Sequence, residues 1–299
     1  FVNAGGAMNN IDEGILFINE LEKIEKKPKL IILNLDFWWF NKLYNEYDNK
    51  DFLYHKNTVN KINIETLYNL NKSILLKKIP FYSFNYIFNN NNILNEYTSQ
   101  DSLGLSAITK GSGYKIDGSY EYGNLLFGEG NADIKFQNTL NRIENQNARF
   151  QIGELPDQNE ISKLKYLITL IENLNLDYIV LIPPIANSVY LKIDGNKNYN
   201  YIFKTFEILK HQIGENIQIF FNPDISNSND CEFIDGFHPG SVSFAKVFLR
   251  SKYNKKEFLT DEKKLINLIN KNIGQVSINI NQNLKFKEID FLKLGCVKK

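Results

Sequence analysis

Lys29-Leu30-Ile31-Ile32-Leu33-Asn34-Leu35 is a short, almost continuous apolar run, the pattern of a strand buried on both faces of a parallel sheet. Upstream of it, Ile11, Ile15, Ile18, Leu21 and Ile24 recur at helical spacing, with Asn9, Asn10 and Asp12 placed to cap the start. The same helix-then-strand grammar returns downstream. Asp157 and Glu160 have capping-box spacing ahead of Ile161, Leu164, Leu167, Ile168, Ile171 and Leu174. Tyr178-Ile179-Val180-Leu181-Ile182 follows, closed by Pro183-Pro184. A helix over about Tyr199 to Gly214 leads to Ile217-Gln218-Ile219-Phe220-Phe221, and a last core helix starts near Gly240 with Val242, Phe244, Val247 and Phe248. Strands alternating with helices predict a doubly wound, mostly parallel α/β sheet, with ligands expected at the C-terminal strand edges.

Between the second and third visible strands lies an insertion, about residues 42–155, of roughly a hundred residues where a connection usually takes about 4 to 6. It contains a helical stretch near Ile62 to Ile79, an asparagine run at Asn89 to Asn92 that reads as a loop, and a glycine-rich segment from Gly111 to Gly130 carrying Tyr114, Tyr120 and Tyr122. That segment lacks the Gly-Lys-Ser/Thr end of a phosphate-binding loop, so a flexible flap describes it better. The predicted organisation is one α/β domain over residues 1–258, interrupted by the insertion, and a C-terminal extension over 259–299. The chain opens on Phe1-Val2-Asn3-Ala4-Gly5-Gly6, a strand running into a turn, so further sequence is expected upstream, a targeting segment included.

Composition narrows the function classes. The 35 basic and 34 acidic residues nearly cancel, and no block of like charge would track a phosphate backbone, so nucleic acid is an unsuited partner. No stretch approaches the roughly 20 apolar residues of a transmembrane helix; membrane association would have to come from a segment upstream. Cys231 and Cys296 stand far apart, with no Cys-x-x-Cys and no histidine at ligand spacing, which predicts buried or idle thiols rather than a disulfide or a zinc site.

The strongest local signal is Asp235-Gly236-Phe237-His238-Pro239-Gly240, after the last strand and directly before the last core helix. A carboxylate and an imidazole three residues apart can hydrogen-bond, fixing the tautomer so that the free ring nitrogen takes a nucleophile's proton. A capping aspartate beside a surface histidine is the plainer alternative. His55 and His211 have no partner at an informative spacing.

On this block the chain resembles the SGNH (GDSL-like) hydrolase superfamily, whose last motif is an Asp-x-x-His between the last strand and the C-terminal helix. The resemblance covers most of the chain as topology and few residues as motif. It implies a flavodoxin-like three-layer α/β/α fold, a serine nucleophile after the first strand, and no metal or cofactor. No serine of this chain stands in such a block, and counting backward from Asp235 makes the Phe1 strand the family's second, so the serine strand is expected upstream. Asn3-Ala4-Gly5-Gly6-Ala7 then resembles the second block, in which Gly5 or Gly6 would offer an N–H to the oxyanion. After the Leu30 strand the family often has Gly-x-Asn-Asp. Here the chain reads Asn34-Leu35-Asp36-Phe37-Trp38-Trp39-Phe40-Asn41, closer to the aromatic-rich version in relatives that modify polysaccharides. Asn34 and Asn41 are the candidates for the oxyanion side chain, with loop capping as the plainer alternative for each, whereas Asp36 would be electrostatically wrong there unless it holds another group. Trp38 and Trp39 would form a sugar or acyl platform, or a hydrophobic plug.

The implied function is a serine esterase or O-acyltransferase acting on an acylated, cell-surface glycan or a related small molecule, in the envelope or cytoplasm of a bacterium. Asp235 and His238 are its expected catalytic residues, and the present chain is expected to be inactive by itself. Two readings stand beside it: a non-catalytic glycan-binding or assembly module on the same scaffold, and a metal-dependent phosphoesterase, disfavoured because no second His/Asp cluster accompanies the motif.

Overall fold

A computed structural model describes residues 8–48, 131–251, 261–278 and 290–297, together with Asn3 and short pieces between residues 68 and 125. In chain order the elements are α1 (Ile11–Glu22), β1 (Leu30–Asn34), a 3-10 turn (Phe37–Phe40), α2 (Lys42–Asp48), β2 (Ser102–Leu103), β3 (Ser112–Lys115) and β4 (Tyr120–Tyr122). They continue with α3 (Gln137–Glu144), α4 (Gln158–Asn173), β5 (Asp177–Ile182), α5 (Asn187–Ile193), α6 (Asn200–Ile213), β6 (Ile217–Ile219), α7 (Pro223–Ser226), α8 (Ser241–Arg250) and α9 (Glu262–Lys271).

The chain divides into two compact units, one of residues 1–8 and 49–130, the other of residues 9–48 and 131–299. The expected insertion is therefore split: only its middle forms a separate unit, while residues 42–48 and 131–155 belong with the α/β elements. In the first unit, β2, β3 and β4 make an antiparallel sheet in sequence order. The β3–β4 turn is closed by Lys115 N–H donating to Ser119 O at 2.7 Å, with Gly118 at φ +83°. The helical stretch expected near Ile62 to Ile79 and the run at Asn89 to Asn92 lie largely or wholly outside the described residues.

The second unit holds a mixed α/β arrangement around a small parallel sheet of order β1-β5-β6. Register runs from Leu30 opposite Asp177 to Asn34 opposite Leu181, and from Val180 opposite Ile217 to Ile182 opposite Ile219. The central strand β5 is apolar because it is covered: Ile179 through Ile182 are all buried. Pro183-Pro184 then ends the ladder by removing two N–H donors. β1 does not meet the expectation of burial on both faces, since Ile32 and Asn34 are exposed. Among the described residues it is an outer strand, which helices cover less completely than a central one.

Caps explain where the helices begin. The Asn10 side chain accepts from Glu13 N–H at 2.9 Å at the start of α1. At α4, Asp157 accepts from Asn159 N–H at 2.9 Å, but the reciprocal half of the expected capping box is absent: Glu160 instead takes Lys163 at 2.7 Å. The same ammonium reaches Asp12 of α1 at 2.6 Å, tying together two helices that pack on one another.

The expectation of idle thiols is overturned, because Cys231 and Cys296 form a disulfide across 65 residues. Separation along the chain carried no information about separation in space; the Cα atoms are 5.8 Å apart. The described part of 259–299 is accordingly built into the α/β unit. Gly274 N–H donates to Glu232 Oε1 at 3.0 Å, Ile278 N–H to Ser241 Oγ at 2.8 Å, and Lys135 N–H to Leu292 O at 2.8 Å. Closing a loop of that length restricts the unfolded chain, so Cys231→Ser with Cys296→Ser should cost about 3 kcal/mol in chemical denaturation.

Candidate functional site

The Asp235–His238 loop is assembled by its own backbone. Phe233 bridges Pro239 in antiparallel fashion, and Ile234 N–H donates to His238 O at 2.8 Å. Inside this closed loop, Asp235 Oδ1 accepts from the N–H groups of Phe237 (3.0 Å) and His238 (2.9 Å), leaving Oδ2 for His238 Nδ1 at 2.7 Å. One carboxylate thus sets both the turn and the ring. The Gly236 carbonyl takes Ala186 N–H at 3.0 Å, docking the loop on the segment that leaves the C-terminal end of β5. Glycine is needed there, because a Cβ would stand 2.6 Å from Thr139 Cγ2 and 2.7 Å from Val189 Cγ2.

Burial pushes the Asp235 carboxyl up, yet the hydrogen bond and charge of His238, with the two amides, hold it below the ordinary carboxylate range. An ionised carboxylate only accepts, so Nδ1 carries the hydrogen and the neutral ring has its lone pair on Nε2. Asp235 is the only hydrogen-bonding partner of the imidazole among the described residues. The pair has the form of an oriented general base.

A second carboxylate stands nearby. Asp36 follows β1, half-buried, and its carboxyl is pushed up to about 6 by burial, against the opposing charges of His238 and Arg149. A raised carboxyl contributes stability that is full below the ordinary value near 3.8 and is lost as pH rises through about 6. Asp36→Asn should therefore flatten that part of the stability–pH curve and add about 1–3 kcal/mol at neutral pH, read by denaturant unfolding at several pH values.

Aromatic rings floor the site. Phe237 lies 4.2 Å from the His238 ring centroid, Trp38 meets Phe237 edge-on at 5.4 Å and His238 at 6.4 Å, and Phe150 and Phe37 extend the cluster. The guanidinium of Arg149 lies 5.0 Å from the Trp38 centroid and 5.6 Å from that of Phe237, and Arg142 lies 5.8 Å from Phe237.

The other expected residues fare differently. Gly5 and Gly6 lie outside the described residues. Asn34 is exposed at the end of β1, opposite Leu181. Asn41, 1% exposed, is fully committed: Nδ2 donates to the carbonyls of Gln151 (2.8 Å) and Ile152 (3.2 Å), and Oδ1 accepts from Leu43 and Tyr44 N–H. It therefore has no N–H left for an oxyanion. It caps α2 and fixes the segment bearing Arg149, so Asn41→Ala should cost about 2 kcal/mol in the same unfolding measurement. Trp38 and Trp39, 3% and 2% exposed, offer no open ring face, and the packing alternative describes them. Among the described residues, no group of three or more His, Cys, Asp or Glu is arranged to hold a metal ion. No motif surrounds Asn145-Gln146-Asn147-Ala148-Arg149, so nothing in the sequence marks Arg149; only the fold brings it to Trp38 and to Phe237, the neighbour of His238.

No family model, no curated protein and no solved structure matches this chain.

Proposed function

We propose that this chain carries the acid–base half of an acyl-transfer site of the SGNH hydrolase type, on a flavodoxin-like three-layer α/β/α scaffold, and acts on an acylated glycan or related ester. The observation that carries the reading is the 2.7 Å contact from His238 Nδ1 to Asp235 Oδ2 in a loop docked past the C-terminal end of β5, where parallel sheets place their chemistry. In this mechanism a hydroxyl attacks the ester carbonyl while His238 Nε2 takes its proton, and Asp235 stabilises the imidazolium. The same nitrogen returns the proton to the departing alcohol. Water or a sugar hydroxyl then releases the acyl group, which makes the enzyme an esterase or an O-acyltransferase. The disulfide fits a compartment outside the reducing cytosol.

The test is to express the chain with and without any upstream part of its reading frame and to assay both on acetylated sugars and p-nitrophenyl acetate, with His238→Ala as control. Turnover confined to the extended form and lost in His238→Ala supports the reading. A glycan-binding module on the same scaffold is favoured by one observation, the lack of a hydroxyl partner for the imidazole among the described residues. It takes the lead if neither form turns over and the extension brings no Gly-x-Ser block.

A further inference from the structure

We propose that Arg149 is an anion-recognition residue beside His238, and that the molecule bound there carries a carboxylate or phosphate within reach of the imidazole. The proposal rests on the acyl-transfer reading only for the identity of the site, since binding needs no turnover. A guanidinium presents five N–H donors in a planar fork, yet among the described residues the Arg149 side chain makes no hydrogen bond and no ion pair, and lies instead over the rings of Trp38 and Phe237. Stacking occupies the face of a guanidinium and leaves its edge for a ligand.

The backbone holds the side chain there at some cost. Arg149 has φ +84°, and Ala148 and Gln146 are left-handed as well, at +46° and +55°. Non-glycine residues persist in that region only where the surroundings over-determine them. Those surroundings are visible: Asn41 holds the carbonyls of residues 151 and 152, Tyr199 Oη donates to Phe150 O at 3.1 Å, and Gln151 Oε1 accepts from Arg149 N–H at 3.0 Å.

Composition points the same way. Of the 35 basic residues only Arg142, Arg149 and Arg250 are arginine, the rest lysine, and two of the three converge on the Phe237 ring, which lies tilted against His238. In a chain that supplies nearly all its positive charge as lysine, these two positions use the planar, bidentate, ring-stacking cation. Arg142 differs in having a partner, Asn138 Oδ1 at 3.2 Å. Asp36 is the charge that opposes an incoming anion, and with His238 and Arg149 it sets the local field. Neutralising it should tighten anion binding.

The experiment titrates the full chain with glycerol phosphate against glycerol and with glucuronate against glucose, by calorimetry and by the NMR signals of the Trp38 indole and His238 imidazole. The two pairs separate phosphate from carboxylate. The expected result is that the anion of at least one pair binds and moves both signals while its neutral partner does not. R149Q should weaken it about tenfold or more, R149K should weaken it because charge without the fork is insufficient, and D36N should tighten it. Should R149Q fail to fold by circular dichroism, R149K decides. Anions behaving like their neutral partners, or R149K binding as wild type does, would overturn the proposal. An extended chain that hydrolyses esters but ignores anions refutes this inference alone, and one that binds anions without turnover refutes the acyl-transfer reading alone.

Discussion

Asp235→Asn is expected, in whichever form of the chain turns over an ester, to lower kcat by about a thousand- to ten-thousandfold with little change in KM. An amide in place of Oδ2 presents either an N–H, which turns the ring so that Nδ1 accepts and Nε2 carries the hydrogen, or a neutral oxygen that no longer stabilises the imidazolium. Either way the proton acceptor facing the nucleophile is lost. The loop should survive, because the remaining carbonyl oxygen still accepts from the N–H groups that Oδ1 now holds, those of Phe237 and His238. A loss of stability that stays small beside the collapse of turnover separates this role from a capping one. A simple capping aspartate would give the reverse, lost stability with turnover preserved in the folded fraction. The lowered carboxyl adds a pH signature: stability it contributes above the ordinary carboxylate range is lost as pH falls through its depressed value, and the asparagine variant should lack that loss.

Lys246→Met is expected to cost about 3–5 kcal/mol, because it strands a buried carboxylate. Lys246 reaches Glu232 Oε1 at 2.5 Å and Oε2 at 2.7 Å, with the two side chains 6% and 0% exposed, and also donates to Asn227 O at 2.8 Å. Glu232 in turn takes Gly274 N–H and ends the turn that begins at Asn229. One ion pair therefore joins α8, the segment leading into Asp235, and the chain after α9. Glu232→Leu combined with Lys246→Met removes both charges and should recover most of the loss, since well-packed apolar pairs replace buried ion pairs at little cost. Denaturant unfolding of the single and double variants reads both outcomes.

Much of the fold was legible because its signals are local. The apolar runs at Leu30 and Tyr178 became neighbouring parallel strands, and the helix expected over Tyr199 to Gly214 spans Asn200–Ile213. The Asp235–His238 pair was legible for the same reason, since three residues of spacing inside a closed turn nearly dictate the contact. What escaped depends on distant segments meeting. Nothing near Cys231 announces Cys296, and nothing near Arg149 announces Trp38 and Phe237. Asn41 stands open between two readings in the sequence, because an asparagine after a strand suits an oxyanion donor and a helix cap equally, and its four hydrogen bonds make it a cap. Trp38 and Trp39 were ambiguous because an exposed platform and a buried plug use the same side chains.

The most direct test is to treat the chain, together with any upstream part of its reading frame, with a fluorophosphonate, which reacts preferentially with a hydroxyl that a neighbouring base has activated. Mass spectrometry of the adduct, in wild type and in His238→Ala, is the measurement. One labelled serine is expected in wild type and none in the variant at equal folding. A wild-type chain that takes no label, or a His238→Ala variant that takes it as readily, would contradict the assignment of His238 as the general base.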